Sequence, residues 1–389
     1  MFKLLKNIKV YRSGAWRDTN LLIAGPSIAL LDDALTLSIP GLEVIDGQGM
    51  YALPGYVDRH VHITGGGGEG GFSNAVAPLR VEALVRAGVT TVVGLLGTDG
   101  TVRSVESLCA KAMALEEEGI SARFLTGSYD YPSPTATGSV KRDILLLPGC
   151  IGVKIAISDH RSPCLRDEEL IRLAADTWQA GILKGRSAFV HLHVGSGKAG
   201  LSPIFHALEQ SDLPIAVFHP THLGNQREDA RRFAAMGGWV DFTTLPNPDK
   251  SAEQMLWALE HCPKERVTFS TDANGSMPLW NEKKEMIGIS AASCANLHET
   301  VRALTARGLP LEQAIRPCTC NAAAALTLPQ KGALREGTDA DILLLDEKFN
   351  IQSVFARGRE LLRMGELTFL PKFSRGAQAS PASLPFPSK

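Results

Sequence analysis

Eight short apolar runs, separated by stretches of helical pattern, constrain the fold of this 389-residue chain more than any other feature. They occupy residues 56–63, 90–97, 122–129, 151–157, 188–194, 215–222, 239–244 and 267–272. Most are nearly continuous apolar sequence, as in strands buried on both faces. The segments between them include residues 81–87, 105–118, 168–180, 201–210, 227–236 and 252–261, which carry Leu, Ile and Ala at helical spacing with charges between. Alternation of this kind predicts an α/β fold with a parallel sheet, and eight strands predict a (β/α)8 TIM-type barrel over residues 55–331. An open doubly wound sheet is the other candidate, but no Gly-rich nucleotide turn follows the first run. Residues 289–307 and 311–328 are predicted as the closing helices.

The flanks follow a different pattern. Residues 1–54 and 332–370 hold short strand-like pieces bounded by Gly and Asp turns. Neither half has enough apolar residues for its own core. They are predicted to pair into one small β-sandwich domain built from both chain ends. Residues 371–389, rich in Pro, Ser and Ala, read as a loose C-terminal tail.

The ends of the predicted strands carry the chemistry. His60 and His62 close the first run, and residues i and i+2 of a strand share a face. Lys154 lies in the fourth run, His193 ends the fifth, His222 the sixth and Asp272 the eighth. In a barrel all these positions converge on one mouth. Any of them alone would be a hydrogen-bonded core residue; together they have the composition of a metal-ligand set. Lys154 stands alone in Gly152-Val153-Lys154-Ile155-Ala156-Ile157, and an unpaired buried ammonium is costly. Desolvation lowers its pKa, and a neutral lysine can react with carbon dioxide to give a carbamate, an anionic ligand able to bridge two metals. The alternative is an ion pair with a buried carboxylate, Asp272 being the obvious partner. His191 shares the face of His193 but lies deeper, as a supporting or core residue, and His160 and His206 receive no role.

Composition narrows the function. The charged residues, 40 Lys+Arg against 41 Asp+Glu, give a net charge of −1, and no Lys/Arg-rich run argues for nucleic acid. Nothing approaches the roughly 18 consecutive apolar residues of a membrane span, and the N-terminal residues build no signal-peptide core. These readings predict a cytoplasmic protein. Seven scattered cysteines do not form a disulfide framework, and Cys318 and Cys320 are expected to be ordinary thiols at a helix start.

The segment Pro54-Gly55-Tyr56-Val57-Asp58-x-His60-x-His62, the strand-four lysine, the strand-five and strand-six histidines and the strand-eight aspartate resemble the amidohydrolase superfamily. So does Ala333-Leu334-Arg335-Glu336-Gly337-Thr338-Asp339-Ala340-Asp341. The likeness covers about residues 40–360. It is closer still to the isoaspartyl (β-aspartyl) dipeptidases, through Gly65-Gly66-Gly67-Gly68-Glu69, Val93-Gly94-Leu95-Leu96-Gly97-Thr98-Asp99 and Leu125-Thr126-Gly127-Ser128-Tyr129. Residues 152–162, Pro220-Thr221-His222 and Ser270-x-Asp272-x-Asn274-Gly275-Ser276 carry it further. The resemblance implies two divalent metal ions, zinc first, with Mn, Co or Fe able to fit the same shell. His60, His62 and Asp272 would hold one and His193 and His222 the other, bridged by carboxylated Lys154.

By the same resemblance, a metal-bridging hydroxide attacks the isopeptide bond of a β-aspartyl dipeptide. Asp272 moves the proton and Tyr129 binds the scissile carbonyl. Glu69 would hold the substrate ammonium, Arg161 and Ser276 carboxylate, and Thr98 would line the pocket. Relatives place Val-Asn-Arg after the strand-six histidine, and that arginine binds carboxylate. Here His222 is followed by Leu223-Gly224-Asn225-Gln226-Arg227, so Asn225 takes the arginine's spacing and Arg227 is the candidate replacement. A homo-oligomer is implied in the same way. A cyclic amidase of the dihydroorotase or hydantoinase kind shares the metal set and is the alternative enzyme. An inactive structural relative is the alternative of another class, and the complete ligand set argues against it.

Overall fold

The computed structural model describes residues 2–69, 71–280 and 286–372. Eight parallel strands follow one another as Tyr56–Val61, Val89–Gly94, Ser121–Gly127, Cys150–Ile157, Phe189–Val194, Phe218–Thr221, Val240–Thr243 and Val267–Ser270. Their apolar side chains are almost wholly excluded from water, which is why the runs carry little polar alternation. The first six pair in chain order in one sheet, and the last two pair with each other.

The sheet curls. Thr221 Oγ1 donates to Asp241 Oδ2 across the sixth and seventh strands at 2.6 Å. The chain after the eighth returns to the first through a parallel bridge between Val61 and Ala273, where His62 N donates to Ala273 O at 2.9 Å. Among the described residues no ladder joins the sixth and seventh strands, so the hydrogen-bonded sheet is six plus two. The sixth strand is shorter than expected: Ile215–Val217 is a 3-10 turn, and Pro220 has no N–H to give to a ladder.

Helices Val81–Arg86, Val105–Glu118, Asp167–Lys184, Ser202–Glu209, Arg227–Ala235 and Pro248–His261 fall where periodicity predicts them. Helix Val140–Leu146 was not anticipated; seven residues long, it is capped by Ser139 accepting from Arg142 N. Two expectations need correction. Within 289–307, Met286–Ala291 is a strand paired antiparallel with Ser276–Trp280, and the helix is Ala295–Ala306. Ile287-Gly288-Ile289-Ser290 alternates at period two, the signature of a strand. Segment 311–328 is not one helix but Leu311–Ala314, the 3-10 turn Arg316–Cys318 and Cys320–Ala325. Pro317 and the non-helical backbone of Thr319 interrupt it.

Both chain ends enter one nine-stranded sheet. Tyr51–Pro54 from the N-terminal part pairs antiparallel with Ile342–Leu345 from the C-terminal part. The first strand, Phe2–Arg12, bulges between Leu5 and Ile8 and pairs with Leu42–Asp46 before the bulge and Tyr51–Pro54 after it. Hydrogen bonding therefore links both chain ends in one branched sheet, with Leu42–Asp46 off its main path. Leu5, Ile8, Leu21, Ile28, Ile342 and Phe355 form its own buried core. Most of the expected tail, residues 373–389, lies outside the described residues. No helix among the described residues is long and apolar enough to cross a membrane.

Candidate active site

The carboxyl ends of the parallel strands bring four histidines, a lysine and an aspartate into one buried cluster. His60 and His62 leave the first strand two residues apart, and both direct Nε2 at Asp272 Oδ1, at 3.2 and 3.1 Å. Asp58, two residues before His60, accepts from the Thr271 amide at 3.2 Å and from its hydroxyl, so the first strand holds the chain beside Asp272. His222 and Asp272 both adopt left-handed backbone, with φ of 65° and 54°. That conformation costs about 1 kcal/mol for a residue with a Cβ, and here it turns the two side chains off their strand ends. The rings of His60 and His222 lie 4.7 Å apart, and those of His193 and His222 4.6 Å.

Lys154 projects from the fourth strand with Nζ 3.4 Å from His60 Nε2. Among the described residues it forms no ion pair with a carboxylate, so the alternative reading, a pairing with Asp272, is not the one seen. Burial pushes its ammonium down to about 7, with Asp272 opposing the shift. Burial likewise lowers His60 and His222 well below the ordinary value, and His193 to about 4. The imidazoles are therefore neutral, the form that has a lone pair to give. Asp272 remains ionised: burial works against it, but the neighbouring His60 and His62 hold it well below the usual carboxylate range.

This donor set fits a divalent cation. Ligand atoms of His60, His222 and Asp272 all lie within 4.8 Å of one another. Asp272 Oδ1 is buried, and among the described residues only the His60 and His62 Nε2 atoms approach it, neither in good hydrogen-bond alignment. An orphaned carboxylate oxygen among neutral imidazoles is what a cation would repair. Supporting contacts fix the rings. His191 Nε2 meets His60 Nδ1 at 2.9 Å, which gives the deeper histidine its supporting role. His222 Nδ1 meets Thr243 Oγ1 at 2.6 Å. Both nitrogens of His193 are engaged, Nδ1 with the Tyr129 hydroxyl at 2.6 Å and Nε2 with Asp159 Oδ2 at 3.0 Å.

A second group of residues lies beside the cluster. Glu69, carried by the loop after the first strand, accepts on Oε1 from Thr98 Oγ1, Arg161 NH1 and Ser276 Oγ, each at 3.1 Å. Its other oxygen, Oε2, is buried and has no hydrogen-bond partner among the described residues. Arg161 lies 5.4 Å above the Tyr129 ring and is held by both oxygens of Asp159. Burial opposes ionisation of Asp159, but hydrogen bonds from His193 and Arg161 keep its carboxyl far below the usual range.

The structure thus brings together His60, His62, Lys154, His193, His222, Asp272 and Tyr129, and, next to them, Glu69, Thr98, Arg161 and Ser276. It does not bring in Arg227. That side chain is exposed, its guanidinium lies 5.1 Å over the Trp257 ring, and its Nε donates to Gly224 O. Asn225 is also exposed, at the end of a 3-10 turn. Asp159 was missed by the sequence reading. The signal was an acidic residue two positions before Arg161, in the same loop after the fourth strand.

A curled parallel sheet with a metal-fitting cluster at its carboxyl edge defines a class of hydrolase, and sequence comparison agrees: residues 51–361 match the amidohydrolase family, to which the chain belongs. Among solved structures, it is similar to the beta-aspartyl dipeptidase of Fervidobacterium islandicum AW-1 in complex with beta-Asp-Leu dipeptide. The two are 38% identical with a TM-score of 0.89, over 96% of this chain and 100% of that one. Curated relatives are matched only in part. A dihydroorotase of Staphylococcus epidermidis is 36% identical over 27% of this chain and 24% of its own length. An adenine deaminase of Geobacillus kaustophilus is 24% identical over 85% of this chain, which spans about half (52%) of that relative.

Proposed function

We propose that this protein is a metal-dependent hydrolase of the isopeptide bond in β-aspartyl dipeptides. The observation that carries the reading is the adjacency of the His/Lys/Asp cluster to Glu69, whose buried Oε2 has no hydrogen-bond partner among the described residues. An isoaspartyl dipeptide presents an ammonium and two carboxylates around one amide. Glu69 takes the ammonium on its free oxygen. Arg161 then releases Glu69 and binds carboxylate, with Ser276 and Thr98 completing the pocket. Arg227 joins only by leaving Trp257, so the carboxylate beyond the scissile bond relies first on Arg161. The similar β-aspartyl dipeptidase, crystallised with beta-Asp-Leu, supports this choice of substrate.

Lys154, whose amine is about half deprotonated near pH 7, condenses in that form with carbon dioxide to a carbamate and a released proton. His60, His62 and Asp272 would hold one divalent ion, zinc first, and His193 and His222 a second, with the carbamate shared. Such ions, when bound, lower the pKa of water to near 7 and polarise a carbonyl. Asp272 accepts the proton of the attacking water and passes it to the departing amine. Tyr129 stays protonated, because burial raises its pKa well above 10.0, and donates to the carbonyl oxygen as charge grows there. A donor in that role contributes about 3 kcal/mol. The eight strands are read as a closed (β/α)8 barrel of residues 55–331 beside a β domain of residues 1–54 and 332–370. The protein is proposed to act in the cytoplasm as a homo-oligomer.

The test is hydrolysis by zinc-replete protein of β-Asp-Leu, α-Asp-Leu, dihydroorotate and a hydantoin side by side. Cleavage of β-Asp-Leu alone is expected. Turnover of a cyclic amide with β-Asp-Leu untouched would move the substrate to the cyclic amidases.

A further inference from the structure

Two loops meet at Glu69. The first, residues 64–76, leaves the first parallel strand and carries Glu69; the second, residues 97–103, leaves the next strand and carries Thr98. Arg103 joins them. Its Nε pairs with Asp99 of its own loop, whose backbone O also accepts from Arg103 N. Its two terminal nitrogens cross to the other loop, one donating to Thr64 O and the other to Val76 O at 2.9 Å. These two carbonyls are the two ends of the Glu69 loop. Inside the clamp the loop is a narrow hairpin: Val76 N donates to Gly66 O at 2.8 Å, and Asn74 Nδ2 holds Glu69 O at 2.9 Å. The Arg103 loop is itself anchored to the site. Tyr129 N donates to Gly97 O, and a Cβ at Gly97 would stand 3.0 Å from His62 Cε1.

We propose that Arg103 is a positioning residue for Glu69. By spanning both ends of the Glu69 loop it sets the distance between Glu69 and Thr98, and with it the affinity for the ammonium of the substrate. The inference rests on the assignment of Glu69 to that ammonium. A guanidinium is the group suited to the task, since its planar fork reaches two carbonyls and a carboxylate at fixed angles. Among the described residues the hydrogen bonds and ion pair of Arg103 go to Asp99, Thr64 and Val76, not to the metal-fitting residues or to the Glu69 side chain, so its effect should fall on binding.

The experiment compares zinc-reconstituted wild type, Arg103→Ala, Arg103→Lys, Glu69→Gln and Arg103→Ala/Glu69→Gln. Displacement of a binding group by about an ångström costs on the order of a hundredfold, and Arg103→Ala should raise KM for β-Asp-Leu by about tenfold or more. Its kcat should stay within about threefold and its bound zinc should be unchanged. Arg103→Lys, which keeps the charge without the fork, should recover part of the loss and also guards against an unfolded alanine variant. In the Glu69→Gln background Arg103→Ala should add less than about twofold. Hydrogen exchange at the Val76 and Gly66 amides, measured without substrate, should speed up in Arg103→Ala. An unchanged KM, a full additional loss in the Glu69→Gln background, or unchanged exchange would overturn the inference. Faster exchange in Arg103→Ala, with no cleavage of β-Asp-Leu by wild type, would leave the clamp standing and instead remove the ammonium assignment.

Discussion

Asp159 shows how one side chain sets the roles of two others. Its Oδ2 takes His193 Nε2 at 3.0 Å and Arg161 NH2 at 3.1 Å, while Oδ1 takes Arg161 Nε at 3.0 Å. With Nε2 committed, His193 can offer a metal only Nδ1, the nitrogen that now meets the Tyr129 hydroxyl at 2.6 Å. Occupation of Nδ1 would release that hydroxyl toward a substrate carbonyl. A carboxylate behind a ligand histidine typically contributes 10–100-fold to metal affinity or activity. Asp159→Ala is therefore expected to weaken zinc binding by about that factor and to raise KM as Arg161 loses its support. Asp159→Asn, which can still accept from His193, should fall between. A zinc titration on the apo variants, read beside KM, checks both halves; wild-type zinc affinity in Asp159→Ala would show that His193 needs no such support.

The loops after the strands decide substrate contact, and here the sequence was only partly informative. Glycines 65–68 give the loop that carries Glu69 backbone freedom next to the site. In the structure a Cβ on Gly65, at φ 81°, would stand 2.0 Å from Val76 O, whereas one on Gly68, at φ 101°, meets nothing within 4 Å. Gly65→Ala must push apart the two chain ends that Arg103 joins. Gly68→Ala bears only the backbone cost of about 1–2 kcal/mol. Steady-state kinetics should show a much larger rise in KM for Gly65→Ala, with zinc content retained in both; equal effects would mean that the loop is not held at its base. The strands and the gathering of His60, His62 and Asp272 were legible because they rest on local rules, namely apolar runs for double burial and i, i+2 spacing for His60 and His62. Asp159, Arg103 and the His191–His60 contact were not, because each takes its meaning from a partner brought near by the curl of the sheet. The hairpin Ser276–Trp280 with Met286–Ala291 was missed for a related reason. Its second strand runs almost directly into a true helix, and helical periodicity was extended too far back.

At the scale of the whole molecule, the parallel sheet and the nine-stranded sheet are tied by buried polar contacts. Lys331 Nζ lies 2.7 Å from Ser121 Oγ, where the third parallel strand begins, and 2.7 Å from Asp339 Oδ2 and Asp341 Oδ2 on the return into the flanking sheet. His298, on helix Ala295–Ala306, spans a second seam. Its Nε2 donates to Phe349 O, beside strand Ile351–Ala356, and its Nδ1 accepts from Tyr56 OH at the start of the first parallel strand, both at 2.9 Å. Burial lowers the His298 pKa to about 4, with the nearby Arg302 charge adding to the shift and the hydrogen bond to Phe349 O opposing it. The unfolded chain takes up that proton near pH 6.5, whereas the native state does not until about pH 4. Stability from this residue is complete above pH 6.5 and is lost as the pH falls between those values. The loss is about 1.4 kcal/mol per pH unit, or about 3 kcal/mol in all. His298→Gln should be less stable than wild type at pH 7, but the gap should close by about that amount as the pH falls toward 4. Urea unfolding of both proteins at matched metal content, at several values across this window, reads the difference. The other buried histidines titrate in both proteins and cancel, so parallel stability curves would mean that His298 does not sense acid at the seam.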